Sequence, residues 1–134
     1  MRSRFCLTAL LFAVSTVALA QTSASQLFEE ARAKIVRTIG AAPSAVEIGQ
    51  TGSVITVLRI NSGLNKGTHA GRDNEASAIA PIIADAVTGK PEFKDLTTIR
   101  VQYVIRSAPG GTSKVVDTVD FRKTPSSTFE FHKT

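Results

Sequence analysis

The stretch Val54-Ile55-Thr56-Val57-Leu58-Arg59-Ile60 decides the fold, because its β-branched and apolar residues predict a strand. Apolar side chains occur at both alternating positions, which is typical of a strand in the heart of a sheet that helices cover on one side. Ala45 to Ile48 precede it, and the residues between, Gly49-Gln50-Thr51-Gly52, are typical of a turn. This part of the chain therefore predicts a β-hairpin.

An amphipathic helix is predicted before the hairpin. From position 26 onward, apolar residues recur at the spacing of one helix face. They are Leu27, Phe28, Ala31, Ile35 and Ile39. Glu29 and Glu30 suit the first turn and Arg37 suits the last, because the helix dipole favours acids at the start and bases at the end. Gly40 ends the helix, and Pro43 prevents it from restarting.

A second helix is predicted after the hairpin, beyond a loop with three glycines. Its apolar stripe follows the helical spacing without a break. The stripe consists of Ala76, Ile79, Ala80, Ile83, Ala84 and Val87. Residues 73–75 are suited to cap its start, so His69 is expected to lie before the helix. Pro81 falls inside the helix and is expected to face solvent at a kink, and Gly89 and Pro91 end the helix.

Three further strands are predicted in the last third of the chain. The alternation from Ile99 to Arg106 indicates a half-buried strand with one wet face. The turn Pro109-Gly110-Gly111-Thr112 leads into a partner strand from Lys114 to Phe121. Val116 breaks the alternation of that partner, which predicts a bulge near Val116-Asp117. Phe129 and Phe131 alternate with polar residues in a short last strand.

The predicted order is therefore α-β-β-α-β-β-β. Two amphipathic helices on one mainly antiparallel sheet of four to five strands bury all of these apolar faces, so the expected fold class is a two-layer α+β domain. The predicted core residues are Ile35, Ile48, Val57, Leu58, Ile60, Ile79, Ile83, Val87, Val101, Tyr103, Ile105, Val119 and Phe121.

The first twenty residues predict an export signal. Arg2 and Arg4 precede an almost wholly apolar run from Phe5 to Val14, and Ala18-Leu19-Ala20 is a small-x-small tripeptide that a signal peptidase can cleave. The apolar run is shorter than the roughly 20 residues that cross a membrane, so no membrane span is expected. Cleavage after Ala24 is the alternative.

The expected organisation is a cleavable signal peptide, residues 1–20, followed by a single small domain, residues 21–134. Cys6 is the only cysteine and lies in the signal peptide, so the mature chain is expected to be cysteine-free and without disulfides. Small exported domains without disulfides are more typical of a bacterial periplasm than of a eukaryotic extracellular space. The expected location is therefore periplasmic or secreted.

Charge and motifs exclude several classes of function. The formal charge of +5 falls to +3 when the two arginines of the signal peptide leave, and the remaining bases are spread among acids instead of forming a stripe. No nucleic-acid binding is therefore expected. The dispersed acids give no carboxylate pair for glycosidase chemistry, and Asp117 and Asp120 are expected to be solvated. No catalytic residue and no cofactor are predicted.

The loop between the hairpin and the second helix is the first candidate site. Ser62, Lys66, His69, Arg72 and Asp73 are polar residues where a strand end leads into a helix, a place that often binds anions. The glycine spacing matches neither phosphate-binding motif, so a flexible connector is the competing interpretation. His69 and Asp73 alone do not make a metal site, and none is predicted.

The wet face of the third strand is the second candidate. Arg100 and Arg106 lie on it, and Arg122 comes from its partner strand. Such a face is suited to dock a partner protein or polymer, or simply keeps the domain in solution. The expected function is thus a binding or accessory module of the cell envelope, not an enzyme. The alternatives are an inhibitor or immunity-type protein against a secreted enzyme, and a small-ligand protein or enzyme that uses the loop.

Overall fold

The computed structural model describes residues 15–125 and 131–134, and it confirms the predicted α+β fold and element order. The two helices are α1 (Ser15–Ile39) and α2 (His69–Val87). The strands are β1 (Val46–Thr51), β2 (Val54–Ile60), β3 (Thr98–Arg106), β4 (Ser113–Lys123) and β5 (Phe131–Lys133). Short 3-10 helices at Pro43–Ala45, Gly63–Lys66 and Pro91–Phe93 connect them.

The strands form one five-stranded sheet in chain order, β1 to β5. Every neighbouring pair is antiparallel except β2 and β3, which are parallel. A parallel pair needs a crossover connection, and α2 supplies it. The expected mainly antiparallel sheet is confirmed, with β3 at its centre and β2 beside it.

The turn of the first hairpin lies further along the chain than the glycines suggested. Gly49, Gln50 and Thr51 belong to β1, and Thr51 pairs with Val54 across the two residues Gly52 and Ser53. Gly52 has φ +58°, which is the conformation that the first central residue of a type II′ turn requires and that favours glycine. Gly49 needs no such freedom, so the chain continues as strand through it.

Most buried apolar side chains of the strands lie on the face toward the helices, here called the helix face. Helix α1 contributes Ala31 and Ile35, and α2 contributes a longer series that includes Ile79 and Ile83. Strand residues on this face alternate along each strand. They are Val46, Ile55, Val57, Ile99, Val101, Tyr103, Val119 and Phe121. The opposite face, here called the second face, carries half-buried side chains such as Leu58, together with the buried Ile60 and Val104 where β2 and β3 end.

Ten of the thirteen predicted core residues are buried. Ile48 and Leu58 are only half-buried, because β1 is an edge strand and Leu58 lies on the second face. The prediction for Ile105 is wrong: it lies near the end of β3 and is 46% exposed. Phe93 and Leu96, from the segment that leads into β3, are buried instead.

The solvent-facing position of Pro81 and the bulge in β4 are confirmed. Pro81 lies inside α2 with its side chain exposed, where its ring faces solvent. Tyr103 pairs with Asp117 and Val104 pairs with Val115, so Val116 is the extra residue of a bulge in β4. The last strand, β5, begins at Phe131, and Phe129 lies outside the residues that the structure describes.

We expect Ile79→Ala to lower the free energy of unfolding by about 2–5 kcal/mol, because it leaves a cavity in the core between α2 and the sheet. The matched control is Ile105→Ala, the same change at an exposed position, which we expect to cost about 1 kcal/mol or less. Urea titration followed by circular dichroism measures both. Equal losses for the two variants would contradict the placement of Ile79 in the core.

Candidate functional site

Three polar residues lie side by side among the apolar residues of the helix face. Arg59 on β2 is the register partner of Tyr103 on β3, and Tyr103 is the partner of Asp117 on β4. We call this set the polar row. It crosses the sheet under the first turns of α2, which bring Arg72 and Glu75 against it.

The polar row is bound to α2 at both of its ends. Arg59 Nε donates to Glu75 Oε1 at 2.9 Å, and both side chains are largely buried. Arg72 Nε donates to Asp117 Oδ2 at 2.7 Å. Between them, the Tyr103 hydroxyl donates to the Arg72 carbonyl oxygen at 2.8 Å and lies 3.2 Å from Glu75 Oε1. The row thus fixes the start of the helix on three strands.

Arg72 also holds the loop that precedes α2. Its Nη1 donates to the carbonyl oxygens of Leu64 and Gly67, at 2.8 and 3.1 Å. The guanidinium therefore bridges the loop, the helix and β4. Because its Nε and Nη1 donors are taken up within the chain, Arg72 is a structural residue in this arrangement.

The surroundings change the acid–base properties of two members of the row. Burial, the largest influence on Asp117, raises its pKa, but hydrogen bonds from Arg72, His69 and the Thr118 amide together outweigh it. The pKa of Asp117 is therefore below its ordinary value. Burial, assisted by the nearby Glu75 carboxylate, raises the pKa of Tyr103, so its hydroxyl remains a hydrogen-bond donor.

The loop residues predicted to form a site are directed into separate contacts. Ser62 is buried, and its hydroxyl accepts from the Leu64 amide at 3.1 Å. Asp73 accepts from Lys133 Nζ at 2.5 Å on the far strand β5. Lys66 is exposed at the end of a 3-10 helix. The structure therefore does not bring Ser62, Lys66 and Asp73 to one point.

His69 occupies a different place from the expected one. It is the first residue of α2, because Thr68 caps the helix by accepting from the Gly71 amide at 3.2 Å, one turn before residues 73–75. His69 Nδ1 lies 2.6 Å from Asp117 Oδ2, and the side chain remains 64% exposed. Among the residues that the structure describes, no group of three His, Cys, Asp or Glu side chains is arranged to hold a metal ion.

Two of the three arginines predicted as a docking surface are paired with acids of the second face. Arg100 forms two hydrogen bonds to Asp120, at 2.8 and 2.9 Å. Arg106 forms two to Glu47, at 2.7 and 3.2 Å. Arg122 is exposed. The second face therefore presents two compensated charge pairs beside one exposed arginine, and not a basic patch.

These pairs shift the pKa values of their members. The hydrogen bonds from Arg100 hold the pKa of Asp120 below its ordinary value, and those from Arg106 do the same for Glu47. The pKa values of both arginines are raised in turn. Asp120 is thus not the freely solvated acid that the sequence suggested.

An open cleft of about 390 Å³ lies at the end of the sheet, between α1 and the tip of the β3–β4 hairpin. Arg32, Glu47 and Arg106 line it, and each takes part in an ion pair within the chain. Asn61 lies at its wall with φ +51°, where its carboxamide accepts from the Arg106 amide and donates to the Arg106 carbonyl, both at 2.9 Å. The cleft wall is therefore fixed by contacts within the chain.

Comparison with protein-family models, with curated proteins and with solved structures gives no match for this chain. The geometry of its own residues therefore carries the functional argument. Sequence reasoning missed the polar row, although it left a signal. Arg59 and Asp117 have the same alternation parity as the apolar residues beside them, Val57 and Val119, so both charges belong to the buried face.

We expect Asp117→Asn to lower the free energy of unfolding by about 1–3 kcal/mol at pH 7, because Arg72 loses its buried anionic partner. The pKa of Asp117 is lower in the folded chain, so its stabilising effect is complete above the unfolded pKa of about 4 and disappears as pH falls through the folded value. The stabilities of wild type and variant should therefore converge in acid.

Urea titrations at pH 7 and at successively lower pH test this expectation. Asp95→Asn, which changes an exposed carboxylate, is the matched control and should differ little from wild type at any pH. A constant difference between wild type and Asp117→Asn across the whole acid range would mean that the effect is not electrostatic.

Proposed function

We propose that the chain is a small exported binding module of the bacterial envelope that docks a partner protein on the second face of its sheet. The observation that carries the proposal is the distribution of side chains on this face. The buried side chains of both helices pack on the helix face. Val54, Thr56 and Leu58, on the second face, are only half-buried.

The chemistry of the second face supports a protein partner. Half-buried apolar side chains alternate with the Arg100–Asp120 and Arg106–Glu47 pairs, and Val115 is 49% exposed at the hairpin end. Protein–protein interfaces combine an apolar centre with a polar rim, whereas a polyanion requires basic side chains that are free to neutralise it. An inhibitor and an assembly adaptor both fit within this class.

The loop alternative has weaker support. A ligand site there needs Lys66, His69 and Arg72 to present free donors to one point, and Arg72 donates to Asp117 and to two loop carbonyls instead. His69 contacts the same carboxylate. In this arrangement Arg72 and His69 hold the start of α2 to β4.

The proposal for export rests on the sequence of residues 1–20 and is compatible with the packing of α1. That helix extends from Ser15 through Ala20, and Ala24, Leu27 and Phe28 pack against the core. Within the described residues, no helix is long and apolar enough to span a membrane. Cleavage after Ala20 leaves all three of these core contacts in the mature chain.

We expect the protein recovered from cells to begin at Gln21, or at Ser25 if the alternative site is used, because the small-x-small tripeptide marks the cleavage position. Intact mass and N-terminal sequencing of protein from the periplasmic and culture fractions measure this. The matched control is the double variant Ala18→Lys/Ala20→Lys, which removes both small residues of the tripeptide and should remain uncleaved at this position. A wild-type chain that retains Met1 would contradict export.

Docking on the second face is tested by crosslinked pull-down from the native envelope. We expect one dominant partner with the wild-type chain and its loss with Val115→Glu, since the new charge must be desolvated on docking. Ile105→Glu is the matched control, because Ile105 is equally exposed but has the parity of the helix face. Capture lost equally in both variants, or in neither, would contradict docking on this face.

A further inference from the structure

The two edges of the sheet differ in how they are protected. Edge β5 has three residues, and its Lys133 is tied to Asp73. Edge β1 has six residues, Val46–Thr51, with no lysine, proline or bulge. Long regular edges of this kind pair readily with other strands, and natural proteins usually protect them with those devices.

The turn of the first hairpin determines which backbone groups of β1 are directed outward. Across a two-residue turn, Thr51 and Val54 form a hydrogen-bonded pair, and such pairs alternate along an antiparallel ladder. Ile48 and Gln50 therefore direct their N–H and C=O groups away from β2. The Val46 amide donates to Pro43, and only its carbonyl is directed outward.

In the described part of the chain, no backbone hydrogen bond reaches the outward groups of Ile48 and Gln50. Ile48 is also only half-buried, with its side chain on the helix face at the rim of the core. The edge thus offers both unpaired donors and a partly exposed apolar side chain.

The residues of β1 are complementary to themselves in an antiparallel pair centred on Ile48. In that register, Ile48 of one copy exchanges both bonds with Ile48 of the other, and the Gln50 amide donates to the Val46 carbonyl. Glu47 then lies opposite Gly49, so the two copies of Glu47 are diagonal and not directly opposite, and each is paired with Arg106 of its own copy. Gly49 has open space where a side chain would stand, which leaves room for the Glu47 carboxylate.

We propose that β1 pairs with β1 of a second copy of this chain, which joins two five-stranded sheets into one continuous sheet with a common second face. The occupant is a second copy because this register satisfies every outward amide, brings the two Ile48 side chains together and places no like charges directly opposite each other. This inference does not depend on the docking of a partner protein.

Gln50→Pro tests the backbone pairing. It removes the outward amide but no bond to β2, so we expect the dissociation constant of the dimer to rise at least about tenfold while the thermal midpoint stays close to that of the control. The matched control, Gln50→Ala, keeps the amide and should remain as dimeric as wild type. Sedimentation velocity of the purified protein over a range of concentrations measures both.

Gly49→Glu and Gly49→Lys test the register. Both side chains enter open space in the single copy, and Gly49 does not have a positive φ that would favour glycine. In the dimer, however, position 49 lies opposite Glu47 of the second copy. We expect Gly49→Glu to weaken the dimer several-fold, more so at low salt, and Gly49→Lys to leave it unchanged or tighter.

A wild-type chain that remains monomeric at high micromolar concentration would overturn the proposal. So would a Gln50→Pro variant that dimerises like the Gln50→Ala control. If Gln50→Pro weakens the dimer but Gly49→Glu and Gly49→Lys change its dissociation constant equally, the register centred on Ile48 is overturned. The pull-down on the second face has a separate readout, so the two proposals fail independently.

Discussion

The contact between Arg72 and Asp117 is the interaction on which the arrangement of this domain depends. It joins the start of α2 to β4, and the same guanidinium holds two carbonyls of the preceding loop. A largely buried charge pair is tolerated only where hydrogen bonds satisfy its remaining donors and acceptors. The Thr118 amide and His69 supply further bonds to the carboxylate. The pair therefore selects one position of the helix over the sheet.

The polar row explains how an apolar interface acquires a unique register. Between Ile79 and Ile83 and the strands below, contacts are non-directional, and a small shift of α2 would replace one apolar contact with another. Arg59–Glu75 and Arg72–Asp117 oppose such a shift, since moving the helix would leave four largely buried charges without partners. The charge pairs at the start of α2 therefore determine its position over the sheet, and the apolar contacts along the rest of the helix supply hydrophobic stabilisation.

Much of the fold was predictable because its signals are local. The helical spacing of Ile35 and Ile79, the alternation in β3 and the break in parity at Val116 each reflect the period of a single element. Gly49 and Gly52 are the same residue type, so the sequence does not distinguish them. Only the backbone shows that the chain turns at Gly52 and continues as strand through Gly49. Ile105 has the parity of the core, but the helices do not extend far enough to cover it.

The site was less predictable, since its meaning depends on residues that are distant in sequence. Arg100 and Arg106 resemble free surface bases until the sheet register places Asp120 and Glu47 beside them. Asp117 resembles a solvated acid until α2 brings Arg72 over it. The alternation of residues along each strand indicates that Arg59 and Asp117 face inward. Their partners are on α2, and only the crossover between β2 and β3 shows that this helix lies over them.

That crossover also has a consequence for the order in which the chain folds. Strands β1 and β2 are joined by two residues and can pair early, whereas β2 and β3 can pair only after the loop, α2 and the following turn have closed behind them. We infer that the first hairpin forms before the parallel pair, so the outer edge of β1 is available to another chain while the rest of the sheet is still being assembled. During this interval, correct pairing of the sheet competes with misassembly at that edge.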